Sequence, residues 1–209
     1  MVMTPYEDLL PYVQQHVMTA PMPMLLAAIR QTVIDYCRKS TAYRTTLVGV
    51  PAIANVPWYD LPTPSYTRPS AILIATHNKR LLSPTSLTLE SQYQTRADTG
   101  TPERVLLDGT QAQVFPTPRI TELGAFIFTV ALQPTMSATG VDSVFMDDAY
   151  PDIVMGVLAN LLLMAGQPWA NPALGQQYSM GYAVAIDTAK GRANADHTAK
   201  VRVTPYNDV

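Results

Sequence analysis

The apolar residues of this chain follow three patterns in succession, and the first pattern predicts a helix. In MPMLLAAIRQTVIDYCRKS they recur every three or four residues, which is the period of one face of an amphipathic helix. The positions are Leu26, Ile29, Val33 and Cys37. Before this helix, TPYEDLLPYVQQHV predicts a shorter helix that is weakened or kinked at Pro11, because proline lacks the N–H that an inner turn donates.

The third zone of the chain also has the helical period and predicts two more helices. DDAYPDIVMGVLANLLLMAG has the more regular pattern, with Pro151 in its first turn, where a missing N–H is tolerated. Its apolar face is Tyr150, Ile153, Val154, Val157, Leu158, Leu161 and Leu162. The second helix lies in NPALGQQYSMGYAVAIDTAKGR, and its apolar face is Leu174, Tyr178, Tyr182, Ala185, Ile186 and Ala189.

The stretch GQPWANPAL joins these two helices and predicts the corner of a helical hairpin. Gly166 suits the left-handed residue that ends a helix, and Pro168 blocks continuation. Asn171 is the expected N-cap of the next helix, with Pro172 in its first turn. Trp169 is expected to be a structural anchor, with its ring packed where the helices meet and its indole N–H bound to an acceptor.

The middle zone has no sustained helical period and predicts β-structure. Its strand-like runs are TTLVGV, SAILIAT, SLTLESQYQ, ERVLLDG, AQVFPTP and AFIFTVALQP. Asp108 and Gly109 separate two of these runs, which predicts a hairpin. Frequent prolines favour edge strands and irregular loops over a continuous parallel sheet. We therefore expect a small antiparallel sheet or sandwich.

Together the three zones predict an α+β protein. Residues 1–44 and 141–192 are expected to form the N-terminal and C-terminal helices of a helical bundle. Residues 45–140 form an antiparallel β-domain inserted between them. Residues 193–209 are polar and have little to bury against their own domain, so they are expected to form an extended C-terminal arm.

The arm is expected to contact a partner, either an adjacent subunit or another protein of the same assembly. Its AKVRV stretch is strand-like, and an extended segment can add a strand to the exposed sheet edge of a neighbour. The residues that we assign to this contact are Arg192, Lys200, Val201, Arg202, Val203, Pro205 and Tyr206.

The charge content is low and bears on assembly. Only 14% of the residues are Asp, Glu, Lys or Arg, against about 25% in ordinary soluble domains. A surface with so few charges is expected to be buried in part against other subunits, although a neutral monomer rich in polar uncharged residues is the alternative. The net charge of −2 and the lack of a basic run do not favour binding to nucleic acid through phosphates.

The lengths of the apolar runs, the charges near the N-terminus and the cysteine count give no indication of a membrane protein or a secreted protein. No run approaches the roughly 18 apolar residues of a membrane-spanning helix. Glu7 and Asp8 lie where a signal peptide would need positive charge, so synthesis in a cytoplasm without secretion is expected. Cys37 is the single cysteine, which excludes an intrachain disulfide, and it is expected to be a packing residue.

Candidate chemistry is sparse, and no catalytic residue or cofactor is predicted. The three histidines are expected to be separate surface residues, and none of the common hydrolase, phosphate-loop or dinucleotide motifs occurs. Asp147, Asp148 and Asp152 could hold a divalent cation. The favoured interpretation is that these carboxylates lie at a helix N-terminus, where they cap free N–H groups.

Several motifs, taken in order, resemble a family of tailed-phage head-to-tail adaptor proteins. These are PMPMLLAAIRQTVIDYCRKSTAYRTTL with its Tyr43-Arg44 pair, TGTPERVLLDG with VFPTPR, ALQPTMSAT, DDAYPDIVMGVLANLLLMAGQPWANPAL and the following tyrosine-containing helix. The resemblance covers about residues 4 to 192. The proline-rich VPWYDLPTPSYTRPS departs from the strand that the family pattern has there, so the resemblance does not assign the local strand pairing.

The resemblance implies a virion structural protein of the neck, without catalytic residues, metal or cofactor. It implies a helical bundle with a β-domain, and a ring of typically about twelve copies with head-to-tail contacts. The implied partners are further copies of the chain, the portal protein, a tail or nozzle protein, and genomic DNA that passes through the channel without sequence-specific binding. Two alternatives stay open: another neck or tail component (stopper, tail-completion or tail-tube protein), and a small divalent-metal-binding protein or enzyme.

Overall fold

A computed structural model of the chain describes residues 2–86 and 99–195. In this part the helices are a 3-10 helix (Tyr6–Leu9), α1 (Leu10–Gln14), α2 (Met22–Ser40), α3 (Ser143–Leu162) and α4 (Pro172–Asn194). The longer strands are β2 (Arg44–Ala52), β4 (Thr67–His77), β8 (Arg104–Asp108), β9 (Gln111–Phe115) and β11 (Glu122–Pro134). The short strands are β1 (Met3–Pro5), β3 (Trp58–Asp60), β5 (Arg80–Leu81), β6 (Ser83–Pro84), β7 (Thr99–Gly100), β10 (Thr117–Pro118) and β12 (Gly140–Asp142).

Two four-stranded sheets form most of the β-structure of the described residues, and two further two-stranded sheets pair β1 with β12 and β7 with β10. The first has the order β2-β11-β4-β5 and is antiparallel throughout. The second has the order β3-β9-β8-β6, with one parallel pair between β6 and β8. The expected antiparallel β-structure and its α+β class are therefore present, with this parallel pair and a second one between β7 and β10 added.

The predicted hairpin at Asp108 and Gly109 is confirmed, with a shift of one residue. Asp108 still pairs with Gln111 in the β8–β9 ladder, so the turn is Gly109-Thr110. Gly109 has a φ of +59°, which a glycine adopts without steric strain. The departure of VPWYDLPTPSYTRPS from the family pattern left its strand pairing open, and the structure shows pairing in two parts of it. Trp58–Asp60 (β3) pairs with β9, and residues 67–69 of β4 pair with β11.

An aromatic cluster fills the space between the two sheets. Phe126 and Phe128 on β11 are fully buried and stack with ring centroids 5.4 Å apart. The ring of Tyr59 on β3 lies edge-on to Phe126 at 4.9 Å. Such pairs add to the burial of apolar area. The cluster places β3, the strand that the sequence did not reveal, directly on the first sheet.

Helix α2 follows its predicted stripe closely. Ile29, Val33 and Cys37 are completely buried, as expected, and Leu25 takes the core position that the stripe assigned to Leu26. The shorter preceding helix is divided as predicted near Pro11: a 3-10 helix ends at Leu9, and α1 has the proline in its first turn.

Helices α3 and α4 form the predicted helical hairpin and pack on α2. Asn160 of α3 donates its Nδ2 hydrogen to Thr32 Oγ1 of α2 at 3.1 Å, and Tyr182 of α4 donates its hydroxyl hydrogen to the Thr32 carbonyl at 3.4 Å. Gly156 of α3 lies against both Thr32 and Tyr182. A Cβ at position 156 would lie 2.6 Å from the Tyr182 ring and 2.7 Å from Thr32 Cγ2. The absent side chain therefore lets the three helices approach closely.

The start of α3 differs from the prediction. The helix begins at Ser143, four residues before Asp147, and its N-cap is Asp142, whose carboxylate accepts the Val144 N–H at 3.0 Å. Asp147 and Asp148 therefore lie in the second turn and do not cap the helix. Pro151 lies inside the helix, where it gives the Asp147 carbonyl no N–H partner.

One hydrophobic core connects the helices and the sheets, since buried residues of α2, α3, β11 and β9 belong to the same cluster. The division at residues 44/45 and 140/141 stays a prediction. The predicted boundary between residues 192 and 193 falls inside α4. This helix runs to Asn194, and Ala193 is buried, so residues 193 and 194 belong to the helix. Across residues 2–86 and 99–195, no helix combines the length and apolar character needed to cross a membrane.

Gly156→Ala is expected to lower the free energy of unfolding by about 1–3 kcal/mol, because overpacking forces backbone or side-chain shifts in a filled core. The matched control is Gly191→Ala in α4, where a Cβ would have open space. This control is expected to raise the stability by up to about 1 kcal/mol, because alanine favours a helix over glycine. Urea unfolding followed by circular dichroism measures both. Equal stability of the Gly156→Ala variant and the unchanged chain would contradict the close approach.

Candidate partner-binding site

A pocket of about 360 Å³ lies where α4 ends, next to the end of α2, the beginning of β2 and the beginning of α3. We call it the α4-end pocket. Its lining residues are Tyr36, Ala42, Tyr43, Arg44, Asp142, Val144, Phe145, Asp148, Ala149, Ala189, Arg192 and Ala193. Since α4 is the last described helix, the pocket is beside the point where the chain continues into the predicted arm.

Aromatic rings form the buried part of this pocket. The ring of Phe145 on α3 lies 4.9 Å from that of Tyr43 and 6.2 Å from that of Tyr36. Both tyrosines are buried. Burial, with Asp142 as a smaller contribution, raises the pKa of Tyr43 to about 12. The rings therefore present a neutral, apolar surface at all ordinary pH values.

Charged groups of both signs surround the rings. Asp152 Oδ2 accepts the Tyr36 hydroxyl hydrogen at 2.8 Å and lies 3.8 Å from Arg192 Nη2. Burial and this hydrogen bond raise the pKa of Tyr36 well above its usual value. Arg192 occupies the last turn of α4, where a cation also interacts favourably with the helix dipole. The arrangement holds α4 against α2 and α3.

Arg192 is therefore a helical residue, and its assignment to the extended arm is corrected. Its guanidinium group is half exposed and borders the pocket, so it remains available to a partner. The other residues assigned to the arm contact lie outside the described residues. They are Lys200, Val201, Arg202, Val203, Pro205 and Tyr206.

The hypothesis of a metal site at Asp147, Asp148 and Asp152 has no geometric support. Within residues 2–86 and 99–195, no three His, Cys, Asp or Glu side chains lie close enough together to hold a metal ion. Asp152 already binds Tyr36, and Asp147 and Asp148 are exposed. Cys37 is completely buried, and burial raises the pKa of its thiol, so it does not provide a reactive thiolate.

The corner between α3 and α4 is close to the prediction. Asn171 caps α4, since its Oδ1 accepts the Leu174 N–H at 3.2 Å, and Pro172 is the first residue of the helix. Gly166 has the expected left-handed backbone (φ +79°), but α3 already ends at Leu162, so the glycine shapes the loop and does not terminate the helix.

Trp169 packs partly buried against the core, which agrees with its assignment as an anchor. Its indole N–H is buried and has no hydrogen-bond partner among the described residues, so the expected acceptor is not found there. Trp169 is also not among the residues that line the α4-end pocket. The corner is therefore a structural feature and not part of the candidate site.

His77 corrects the expectation of three surface histidines. It is 6% exposed, its Nε2 lies 3.1 Å from Glu122 Oε2, and its ring lies 5.0 Å from that of Phe126. It thus belongs to the packing between β4 and β11. His16 is exposed, as expected, and His197 lies outside the described residues.

Sequence reasoning did not identify the aromatic part of the α4-end pocket. Tyr36 precedes Cys37 in α2 but was not among the residues of the predicted apolar stripe. Phe145 and Asp142 lie before the predicted start of α3, so their roles were hidden by that boundary. The Tyr43-Arg44 pair was noted as a motif, and both of its residues do line the pocket.

The described part of the chain is thus an α+β protein with an aromatic, mixed-charge pocket at the end of its last helix. The family model of the SU10 adaptor protein matches residues 4–205, and the chain belongs to this family of phage head-to-tail adaptors. The resemblance found in the sequence is thereby confirmed, and the match extends past residue 192 into the arm. The family is structural and not catalytic. No curated protein matches the chain.

Alkaline pH is expected to destabilise the protein. Burial raises the pKa of Cys37 from 9.0 and of several tyrosines from 10.0, namely Tyr6, Tyr36, Tyr43 and Tyr182. The unfolded chain therefore loses these protons first, and the stability present below about pH 9 is lost as pH rises, by about 1.4 kcal/mol per pH unit for each group.

Urea unfolding between about pH 8 and pH 11 measures this loss. Above pH 10, Tyr36→Phe should reduce the loss of unfolding free energy by about 1.4 kcal/mol per pH unit, which is the effect of one proton. Tyr66→Phe removes the hydroxyl group of an exposed tyrosine and provides the matched control. A free energy of unfolding that is constant across this range would contradict the effect of burial on these groups.

Proposed function

We propose that this chain is the head-to-tail adaptor of a tailed phage, and that about twelve copies form a ring between the portal and the tail. The observation that carries the proposal is the family match over residues 4–205. The low charge supports it, since 14% charged residues leave much uncharged surface for contacts with other protein chains. Its location would be the neck of the virion.

The C-terminal arm is proposed to contact the portal or a neighbouring copy. The family match continues to residue 205, so it includes the segment that follows α4. The described residues end at Ala195, one residue after the end of α4, and Arg192 in the last turn of that helix lines the α4-end pocket and is half exposed. A strand-like segment joined to the last helix by a few residues can reach a neighbouring sheet edge.

The same ring would surround the path of the genomic DNA. The net charge of −2 is weak, so the chain would neither hold DNA through many phosphate contacts nor repel it strongly. Passage through a channel requires no contacts to base edges, which are what sequence-specific binding uses. We therefore propose a channel that conducts DNA without recognising its sequence.

Electron microscopy of the purified protein with its portal tests the ring. We expect a closed ring of adaptor copies seated directly on the portal. Adaptor found only at the far end of the neck, or in the tail tube, would favour a stopper, tail-completion or tail-tube protein. A protein that remains as single copies, both free and with portal, would contradict the proposed function.

Removal of residues 196–209 tests the arm. The truncation after Ala195 keeps α4 complete, including the buried Ala193. We expect at least a tenfold loss of ring assembly on portals, measured by co-sedimentation, with the thermal stability of the fold unchanged. The control replaces the same residues by a Gly/Ser segment of equal length and should show the same loss. Normal assembly of both variants would exclude a role for the arm.

A further inference from the structure

Two neighbouring rows of residues on the outer face of the first sheet carry uncharged side chains. Val48 of β2 pairs with Ile127 of β11, which also pairs with Thr76 of β4, and Thr76 pairs with Leu81 of β5. In the next row Thr129 pairs with Thr46 on one side and Ile74 on the other. The Oγ1 atoms of Thr46 and Thr129 lie 3.1 Å apart, which places both side chains on the same face. We call these residues the sheet face.

The sheet face is more apolar than a solvated sheet surface normally is. Val48 is 73%, Leu81 70% and Ile74 49% exposed. The opposite face of the same strands, with Phe126 and Phe128, is buried in the core. An antiparallel sheet with one buried face normally alternates to polar residues on the other. Exposed apolar patches of this kind mark contact surfaces.

Helix α4 has a second uncharged surface on a different part of the molecule. Its residues 172–186 include no Asp, Glu, Lys or Arg. Met180 and Val184, one turn apart, are 70% and 67% exposed, and Ser179 and Ala183 beside them are exposed as well. The buried side of α4, with Ala185 and Ile186, faces its own core. We call the four exposed residues the helix face.

One face is an uncovered sheet surface and the other an uncovered helix surface. A sheet with one bare face is normally covered by a helix or by another sheet, and a helix with a narrow apolar stripe packs well on a sheet. Within one chain, α4 packs on α3 and α2, so its exposed stripe does not cover the sheet. Small residues flank Met180 and Val184, which permits close approach of the helix backbone.

We propose that the helix face of one copy packs on the sheet face of the next copy, and that this contact joins the copies of the ring. The inference rests on the proposed function and specifies its subunit interface. Two different faces on one chain make a head-to-tail contact, which repeats around a ring. A symmetric sheet-to-sheet contact would stop at a dimer and leave the helix face exposed. Because neither face is charged, exclusion of water drives the contact.

Two variants test the contact, and each blocks one face. Val48→Asp blocks the sheet face, and Val184→Asp blocks the helix face. A carboxylate without a partner is costly in an apolar interface, so each variant alone should associate at least about 100-fold more weakly than the unchanged chain. Met18→Asp is the control, because Met18 is equally exposed on a loop outside both faces. Circular dichroism and thermal unfolding establish that all three variants are folded.

An equimolar mixture of the two blocked variants gives the decisive result. Only one intact pair of faces remains, the sheet face of Val184→Asp with the helix face of Val48→Asp. We therefore expect dimers but no rings, measured by analytical ultracentrifugation and mass photometry. Rings of normal size from both single variants would overturn the inference and leave the proposed function standing. Dimers of one variant alone would also overturn it, because they indicate a symmetric contact.

The failure of the proposed function would look different. If the unchanged chain forms no ring, with or without portal, but the mixture still forms dimers, the helix-to-sheet contact is supported and the proposed ring is contradicted. If neither rings nor mixed dimers form, both are overturned. A cross-link between Val48→Cys in one chain and Val184→Cys in another provides an independent readout, since the native Cys37 is completely buried.

Discussion

The close approach of three helices at Gly156 is the constraint on which the rest of this molecule depends. Thr32 on α2 accepts hydrogen bonds from both α3 and α4 at this point, and the missing side chain of Gly156 leaves room for the Tyr182 ring. This contact fixes α4 relative to α2. Because α2 ends beside the start of β2, it also fixes the end of α4 relative to the sheet and thereby creates the α4-end pocket.

Local signals in the sequence were sufficient for much of this architecture. Helical periods identified α2, α3 and α4, Asn171 marked the cap of α4, and Asp108-Gly109 located the β8–β9 hairpin. These features depend on neighbours within a few residues, so the sequence contains their cause. The features that were missed depend on distant pairing: β1 exists because it pairs with β12, and β3 because it pairs with β9. The pairing of β1 with β12 also includes Asp142, which is the N-cap of α3.

The candidate site was predictable only in part for the same reason. Arg192 was identified as a contact residue, and the structure adds its neighbours Tyr36 and Asp152, which come from helices that are distant in the sequence. The burial of His77 likewise follows from the neighbouring strand β11 and its Glu122. The low charge of the chain indicated contact surfaces, but only the fold shows which exposed apolar residues share one sheet face and which share one helix face.

The absence of charge on those two faces has a consequence for the conditions under which a neck is stable. Apolar association near room temperature is driven by entropy and is accompanied by a decrease in heat capacity. Contacts of this kind strengthen on warming from the cold and respond little to screening by salt. A particle assembled through them would keep its neck closed when it moves from the crowded, ion-rich interior of a host into dilute water.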